Sequence, residues 1–287
     1  MDLRYSARHR ALQEEARGFV KKYGHLSPKT GGGRKRPDAR ALDWQKLLLE
    51  RGYFARNIPR EYGGFGLPVD ILELAIIAEE FSNAGVSPGI MNQGISMLVP
   101  TLLEVGTKEQ CIQWIGPTIR GDIIWCQGYS EPGSGSDLAT VRTKAVRDGD
   151  HYIVNGHKTW TTLAQHADWI FCLVRTDPAA KPQSGISFLL IDMKSPGVTV
   201  RPIITIDGSH EVNDVFLENV RVPAENLIGE ENKGWTYAKF LLGNERTSMA
   251  GIGRSTRYLN LLKTIVKAEI PEDDPAHLEF IRDIARV

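Results

Sequence analysis

Residues 125–137 read WCQGYSEPGSGSD, a run in which Gly133 and Gly135 alternate with Ser134 and Ser136 while Ser130 stands just ahead. Glycine permits positive φ and close backbone approach, and serine hydroxyls beside unengaged amides form an anion-binding concavity. Two readings follow from this composition. The loop is a nest for a phosphate or a polar ring edge, or it is a solvated turn capped by Asp137. A dinucleotide fingerprint is excluded, because its glycines must lead into a helix. Here ATVRTKAV alternates as a strand does, RDGD turns the chain and HYIVNG runs back, so the loop joins strands.

A second constellation is GHKTWTT, residues 156–162. On a strand, Trp160 and Thr162 project from one face. An indole and a hydroxyl on one face suit a flat heteroaromatic ligand, the indole covering the ring and the hydroxyl bonding its edge. A strand tryptophan also fills cores, and both readings stand at this point. The third candidate is Glu245 in GNERTS. On a helix from Gly234, the stripe Trp235, Ala238, Leu242, Glu245, Met249, Ile252 keeps three-to-four spacing, and Glu245 falls inside it. Its helical neighbours Leu241, Leu242, Ser248 and Met249 supply no cation. Such a carboxylate serves either a distant ion pair or a chemical step.

These residues need elements to hold them. The chain of 287 residues is 41% hydrophobic and 24% charged with formal net charge 0. Balanced charge argues against nucleic acid as a partner, since phosphate-backbone binding needs a basic surplus. The basic run Lys29–Arg40 carries Gly31, Gly32, Gly33 and Pro37 and reads as a surface loop. Cys111, Cys126 and Cys172 are widely spaced and form no CxxC pair. They give neither a disulfide framework nor a metal site, and they point to a reducing, cytoplasmic location. No apolar run reaches membrane-spanning length.

Residues 1–120 read as a helical domain. Leu12, Ala16, Phe19, Val20 and Tyr23 form a helical stripe, 41–51 starts a second helix, and Asp70 caps a helix on which Ile71, Leu74, Ala75, Ala78 and Phe81 repeat. Further helices run from Pro100 to Gly106 and from Lys108 to Ile115. Residues 121–230 hold short β-rich runs separated by turn signals, which predicts an antiparallel β-barrel domain. Residues 231–287 read as the beginning of a C-terminal helical bundle, stopping in mid-pattern. The fold class expected is α+β.

Together, SEPGSGSD and NGHKTWTT are similar to the signature of the acyl-CoA dehydrogenase family, with further matches in EYGG (61–64), VRVPAENLIGE (220–230) and KGW (233–235). The resemblance implies an FAD-dependent enzyme built as helical domain, β-domain and helical domain, which desaturates an acyl-CoA thioester between its α and β carbons. Carried over, Gln127, Tyr129, Ser130, Gly135 and Ser136 line the FAD, with Ser130 on the isoalloxazine edge and Ser136 near the pyrophosphate or the pantetheine arm of the substrate. Trp160, Thr161 and Thr162 complete the cofactor site, with Trp160 covering one ring face and Thr162 near N5. Gln127 and Ser130 depart from the aromatic residue and threonine that the family often has. Glu245 would be the base that removes the α-proton, with Asn244 and Arg246 contacting substrate. An electron-transfer flavoprotein would accept the electrons, and a homo- or hetero-oligomer, dimer or tetramer, would be the assembly. The alternatives in the same family are a non-catalytic scaffold subunit and a same-fold oxidase or flavin monooxygenase. Small residues Gly85, Gly89 and Gly94 suggest room for a bulky acyl group. Because the family completes its flavin site with C-terminal helices beyond this pattern, an isolated 1–287 chain is expected to hold FAD weakly.

Overall fold

The computed structural model describes residues 5–28, 35–248 and 252–286, without the side chains of 244–248, 252 and 254. Eight α-helices are described: α1 (Ala7–Tyr23), α2 (Ala39–Glu50), α3 (Ile71–Asn83), α4 (Val99–Val105), α5 (Lys108–Arg120), α6 (Gly234–Ser248), α7 (Ile252–Glu269) and α8 (Pro275–Arg286). Seven strands lie between α5 and α6: β1 (Trp125–Gly128), β2 (Lys144–Asp148), β3 (His151–Lys158), β4 (Trp169–Arg175), β5 (Ile186–Asp192), β6 (Val198–Ile203) and β7 (Val212–Pro223). Two compact units divide them, one from residues 1–30, 69–88 and 250–287, the other from 31–68 and 89–249. Both units are discontinuous in sequence. No helix of the described residues is long and apolar enough to cross a membrane.

In the first unit, Ser6 caps α1 by accepting the His9 N–H, and Asp70 caps α3 by accepting those of Leu72 and Glu73. Leu12, Ala16, Phe19 and Val20 of α1 are buried, as their spacing predicts. The stripe read on α3 is displaced. Ile71 is 76% exposed and Leu74 41%, while Glu73, Ile76, Ile77, Glu80 and Phe81 are buried. The reason is the chemistry of α1, which supplies polar partners to that face. Gln13 and Arg17 donate to Glu80, Arg8 pairs with Glu73, and Phe19 stacks on Phe81.

In the second unit the strands form an open sheet in the order β1-β4-β2-β3-β7-β6, with β5 on β4. The β2–β3 hairpin turns at Gly149, whose φ of 61° only glycine adopts freely. The pairings β2–β3, β3–β7, β6–β7 and β4–β5 are antiparallel, whereas β1 and β2 run parallel to β4, so the sheet is mixed. A purely antiparallel set was expected. Parallel pairing arises because the β2–β3 hairpin intervenes between β1 and β4, giving the chain the crossover length that parallel neighbours need.

Alternation along β4 and β5 sorts side chains to two cores. Phe171, Leu173, Ile186, Phe188 and Leu190 join Trp114, Ile115, Trp125, Tyr237, Ala238 and Leu241 on the helical side. Ile170, Cys172, Val174, Leu189 and Ile191 join Tyr152, Val154, Val215, Leu217 and Val222 on the other. Trp114 and Trp169 meet edge-on at 4.6 Å, and Trp125 donates its indole N–H to Thr118 at 2.8 Å.

Candidate functional site

β1 delivers the glycine–serine loop. Tyr129 is buried, its ring set edge-on against Phe171 and Phe188, so this side chain belongs to the core and leaves its backbone at the loop. Glu131 and Ser134 then exchange backbone hydrogen bonds of 2.8 and 2.9 Å across Pro132 and Gly133. Ser134 is buried and donates its hydroxyl to the Asp137 carbonyl at 3.0 Å. Gly133, Gly135 and Ser136 are exposed, while Gln127 and Ser130 are half-buried. Neither Gly133 nor Gly135 has positive φ, contrary to the expectation from composition. The reciprocal Glu131–Ser134 pairing closes the turn without a left-handed residue. Instead, a Cβ at Gly133 or Gly135 would find no atom within 4 Å. The protein itself leaves that backbone accessible.

Beneath the loop lies an ion pair that sequence reasoning passed over. Lys158 is fully buried, and its Nζ donates to Glu131 Oε1 at 2.8 Å and to the Tyr129 carbonyl at 3.1 Å. Glu131 also accepts the N–H groups of Arg142 at 2.6 Å and Thr143 at 2.9 Å. Burial pushes the Glu131 carboxyl up, but the Lys158 charge and these donors outweigh it and hold the group below the usual carboxylate range. The signal was present in HYIVNGHK. Tyr152 and Val154 point inward, and Lys158 keeps their parity, so a lysine sits where an apolar residue belongs.

The tryptophan segment follows directly. The Thr159 N–H donates to the Ser130 carbonyl at 2.9 Å, which brings the two motifs together. The expected strand geometry does not hold beyond this point. β3 ends at Lys158, Trp160 has φ of 56°, and its indole is 60% exposed rather than buried. Backbone pairing explains the break. Thr161 exchanges hydrogen bonds of 2.9 and 3.1 Å with Asn213, Leu163 donates to Glu211, and a left-handed Trp160 is what lets the chain reach β7. Asn213 adds a side-chain donor to the Thr161 carbonyl at 3.0 Å. Thr162 is half-buried. Thr161 is buried, and its Oγ1 has no hydrogen-bond partner among the described residues.

α6 is seated on the sheet. A Cβ at Gly234 would lie 2.7 Å from the Ser187 carbonyl carbon, so only glycine permits this approach to β5. Tyr237, Ala238 and Leu241 are buried, Trp235 and Leu242 pack beside them, and the Tyr237 hydroxyl accepts the Glu230 N–H at 3.0 Å. The same helix carries Asn244, Glu245 and Arg246, whose side chains lie outside the described residues.

The small residues read as room for a bulky acyl group do not provide it. The space a Cβ would take at Gly94 is filled by Trp125, at Gly89 by Phe54 and Gln45, and at Gly85 by Arg257. These glycines serve close packing instead.

FAD fits the donor set on two observations. An unpartnered buried hydroxyl, Thr161 Oγ1, sits next to an exposed indole, and the facing loop offers backbone that no side chain covers. A buried polar atom without a partner costs free energy unless something bonds it.

Known proteins share the sequence and fold of this chain. Residues 6–122 match the family described as "Acyl-CoA dehydrogenase, N-terminal domain", and residues 126–220 match "Acyl-CoA dehydrogenase, middle domain". The Mycobacterium tuberculosis protein "Acyl-CoA dehydrogenase FadE34" is 41% identical over 227 residues, 79% of this chain and 31% of that protein. Among solved structures, "Tcur3481-Tcur3483 steroid ACAD" aligns with TM-score 0.83 and 31% identity, covering 100% of this chain and 73% of that one. The "ChsE4-ChsE5 complex from Mycobacterium tuberculosis" aligns with TM-score 0.80 and 30% identity, covering 100% and 74%. The chain thus spans only part of each of these proteins. With both family descriptions matched in order and this chain aligned along its length with solved structures of that kind, the chain belongs to the acyl-CoA dehydrogenase family.

Proposed function

We propose that this chain forms the flavin site of an FAD-dependent acyl-CoA dehydrogenase that desaturates an acyl-CoA thioester between its α and β carbons. The observation that carries the reading is the junction of the two motifs. The hydrogen bond from Thr159 to Ser130 joins the start of the glycine–serine loop to the segment that holds the exposed Trp160 and the unpartnered Thr161 hydroxyl. FAD bound there would supply a two-electron acceptor for the β-hydrogen.

The residues divide the work. Trp160 gives an aromatic plane for one ring face, and Ser130, Thr161 and Thr162 give hydroxyls for the ring edge. Gln127, Gly135 and Ser136 line the loop, and exposed Ser136 bonds the pyrophosphate or the pantetheine arm. Glu245 on α6 takes the α-proton, Asn244 and Arg246 hold the substrate, and a water-poor setting strengthens the carboxylate as a base. The thioester carbonyl needs a hydrogen bond as charge builds on its oxygen. An electron-transfer flavoprotein would be the partner that takes up the electrons.

Changing Glu245→Gln in the full-length protein tests this. The expected result is loss of acyl-CoA-dependent flavin bleaching with FAD still bound. Unchanged bleaching would place the base elsewhere.

A second reading has its own support. Two of the similar structures carry names of two chains, so a subunit that pairs with a different chain and supplies flavin contacts fits as well. Purification with and without such a partner, scored by turnover, separates the two.

A further inference from the structure

We propose that the buried Glu131–Lys158 ion pair is a positioning device that fixes the spacing between the glycine–serine loop and the Trp160–Thr162 segment, and through that spacing the environment of the flavin. The proposal rests on the flavin reading above. The hydrogen bonds of the pair go to the two flanks of the loop. Lys158 reaches Tyr129 and Glu131 at the loop's entry, and Glu131 takes the N–H groups of Arg142 and Thr143 at its exit. Lys158 is also the last residue of β3, one residue before the Thr159–Ser130 hydrogen bond and two before Trp160.

The sheet already holds β3 without this pair. β3 is paired with β2 over His151–Asn155 and with β7 up to Lys158. A buried ion pair also contributes little net stability compared with apolar residues of the same shape, because desolvation offsets the attraction. What such a pair does supply is direction. The four hydrogen bonds that join these three segments are all made only when the loop and the strand end sit in one register. Replacing the pair with neutral residues of similar size therefore leaves a folded sheet with a loosened site.

The test compares the wild-type full chain with the double variant Glu131→Gln, Lys158→Met, with the single variant Glu131→Asp, and with a control, Arg36→Ala, which breaks the Arg36–Asp168 pair elsewhere in the same unit. Amide hydrogen exchange is measured without FAD on peptides covering 129–137, 159–163 and the strands β2 and β7. FAD titration and the visible flavin spectrum follow. In the double variant we expect exchange at 129–137 and 159–163 to rise about tenfold or more with β2 and β7 unchanged. The FAD Kd should rise about tenfold or more and the flavin band should shift, while Arg36→Ala changes neither. Unchanged exchange at the two segments, or a rise spread evenly over the sheet, overturns the proposal. If the double variant does not fold, Glu131→Asp decides by the same two measurements, since it keeps both charges and shortens the reach by one methylene. Unfolding of both variants also overturns it, because the pair would then serve the whole sheet. Wild-type full-length protein that binds no FAD would sink the flavin reading alone, and the exchange pattern would still decide the role of the pair.

Discussion

Gly234→Ala is the substitution whose sign tells most about this molecule. Gly234 opens α6, and its missing side chain points at backbone atoms of β5. A Cβ would stand 2.7 Å from the Ser187 carbonyl carbon, 2.9 Å from its Cα and 3.0 Å from the Ile186 oxygen. Ordinary carbon contacts begin near 3.5 Å, so the first turn of α6 has to retreat by roughly 0.5–0.8 Å. Strand backbone cannot yield as a side-chain tip would, and β5 is hydrogen-bonded to β4 along its full length. Overpacking of this kind costs about 1–3 kcal/mol. In a chain of this size that lowers the melting temperature by about 2–6 °C. Gly234 does not have positive φ, so alanine meets no dihedral barrier there. In the absence of the clash, Gly→Ala would stabilise the fold by about 0.4–1 kcal/mol through the unfolded chain. The two effects therefore differ in sign. Because α6 also carries the proposed base, the same retreat should slow turnover by about 10–100-fold, with FAD binding much less affected. Thermal unfolding followed by circular dichroism and acyl-CoA-dependent flavin bleaching read the two consequences. An equal or higher melting temperature with unchanged bleaching would refute the claim that backbone contact seats this helix.

Two further outcomes are expected. Trp160→Ala should change the unfolding free energy in urea by less than about 1 kcal/mol, because the indole is largely exposed, yet weaken FAD binding clearly. A large loss of stability would mean the indole belongs to the core. Acid should unfold the protein partly through Glu131. Its carboxyl titrates below the ordinary range in the folded state, so its contribution is present above the unfolded value of about 4.3 and is lost as pH falls through the folded one. Urea midpoints between pH 7 and pH 3 should fall less steeply in the Glu131→Gln, Lys158→Met variant than in the wild type.

Much of this architecture could be read from residue patterns. The apolar spacing of α1, the Asp70 cap and the turn at Gly149 are local decisions, and each stands where the pattern puts it. The phase of α3 was not local. Its buried face holds two glutamates, and the arginines and glutamine of α1 make that burial tolerable. The site divides the same way. The two motifs meet through the Thr159–Ser130 hydrogen bond, but alternation carried β3 four residues too far, to Thr162, because the left-handed turn at Trp160 is set by pairing with distant Asn213. Lys158 was the residue that violated the pattern in plain view, and a charge at an inward position asks for a partner. The family resemblance did not supply that partner. The fold did.

The parallel pairing of β1 has a consequence for synthesis. Trp125 through Gly128 find their sheet partners at Trp169 through Cys172, and those in turn lean on Leu189 through Asp192. A nascent chain that has emerged only as far as the β2–β3 hairpin therefore holds β1 with its backbone groups unmatched. Contacts of such long sequence separation form late and slowly. Until β4 and β5 leave the ribosome, the segment that will present the cofactor loop remains a hydrophobic strand in search of an edge, and it is at that stage that chaperones would meet it.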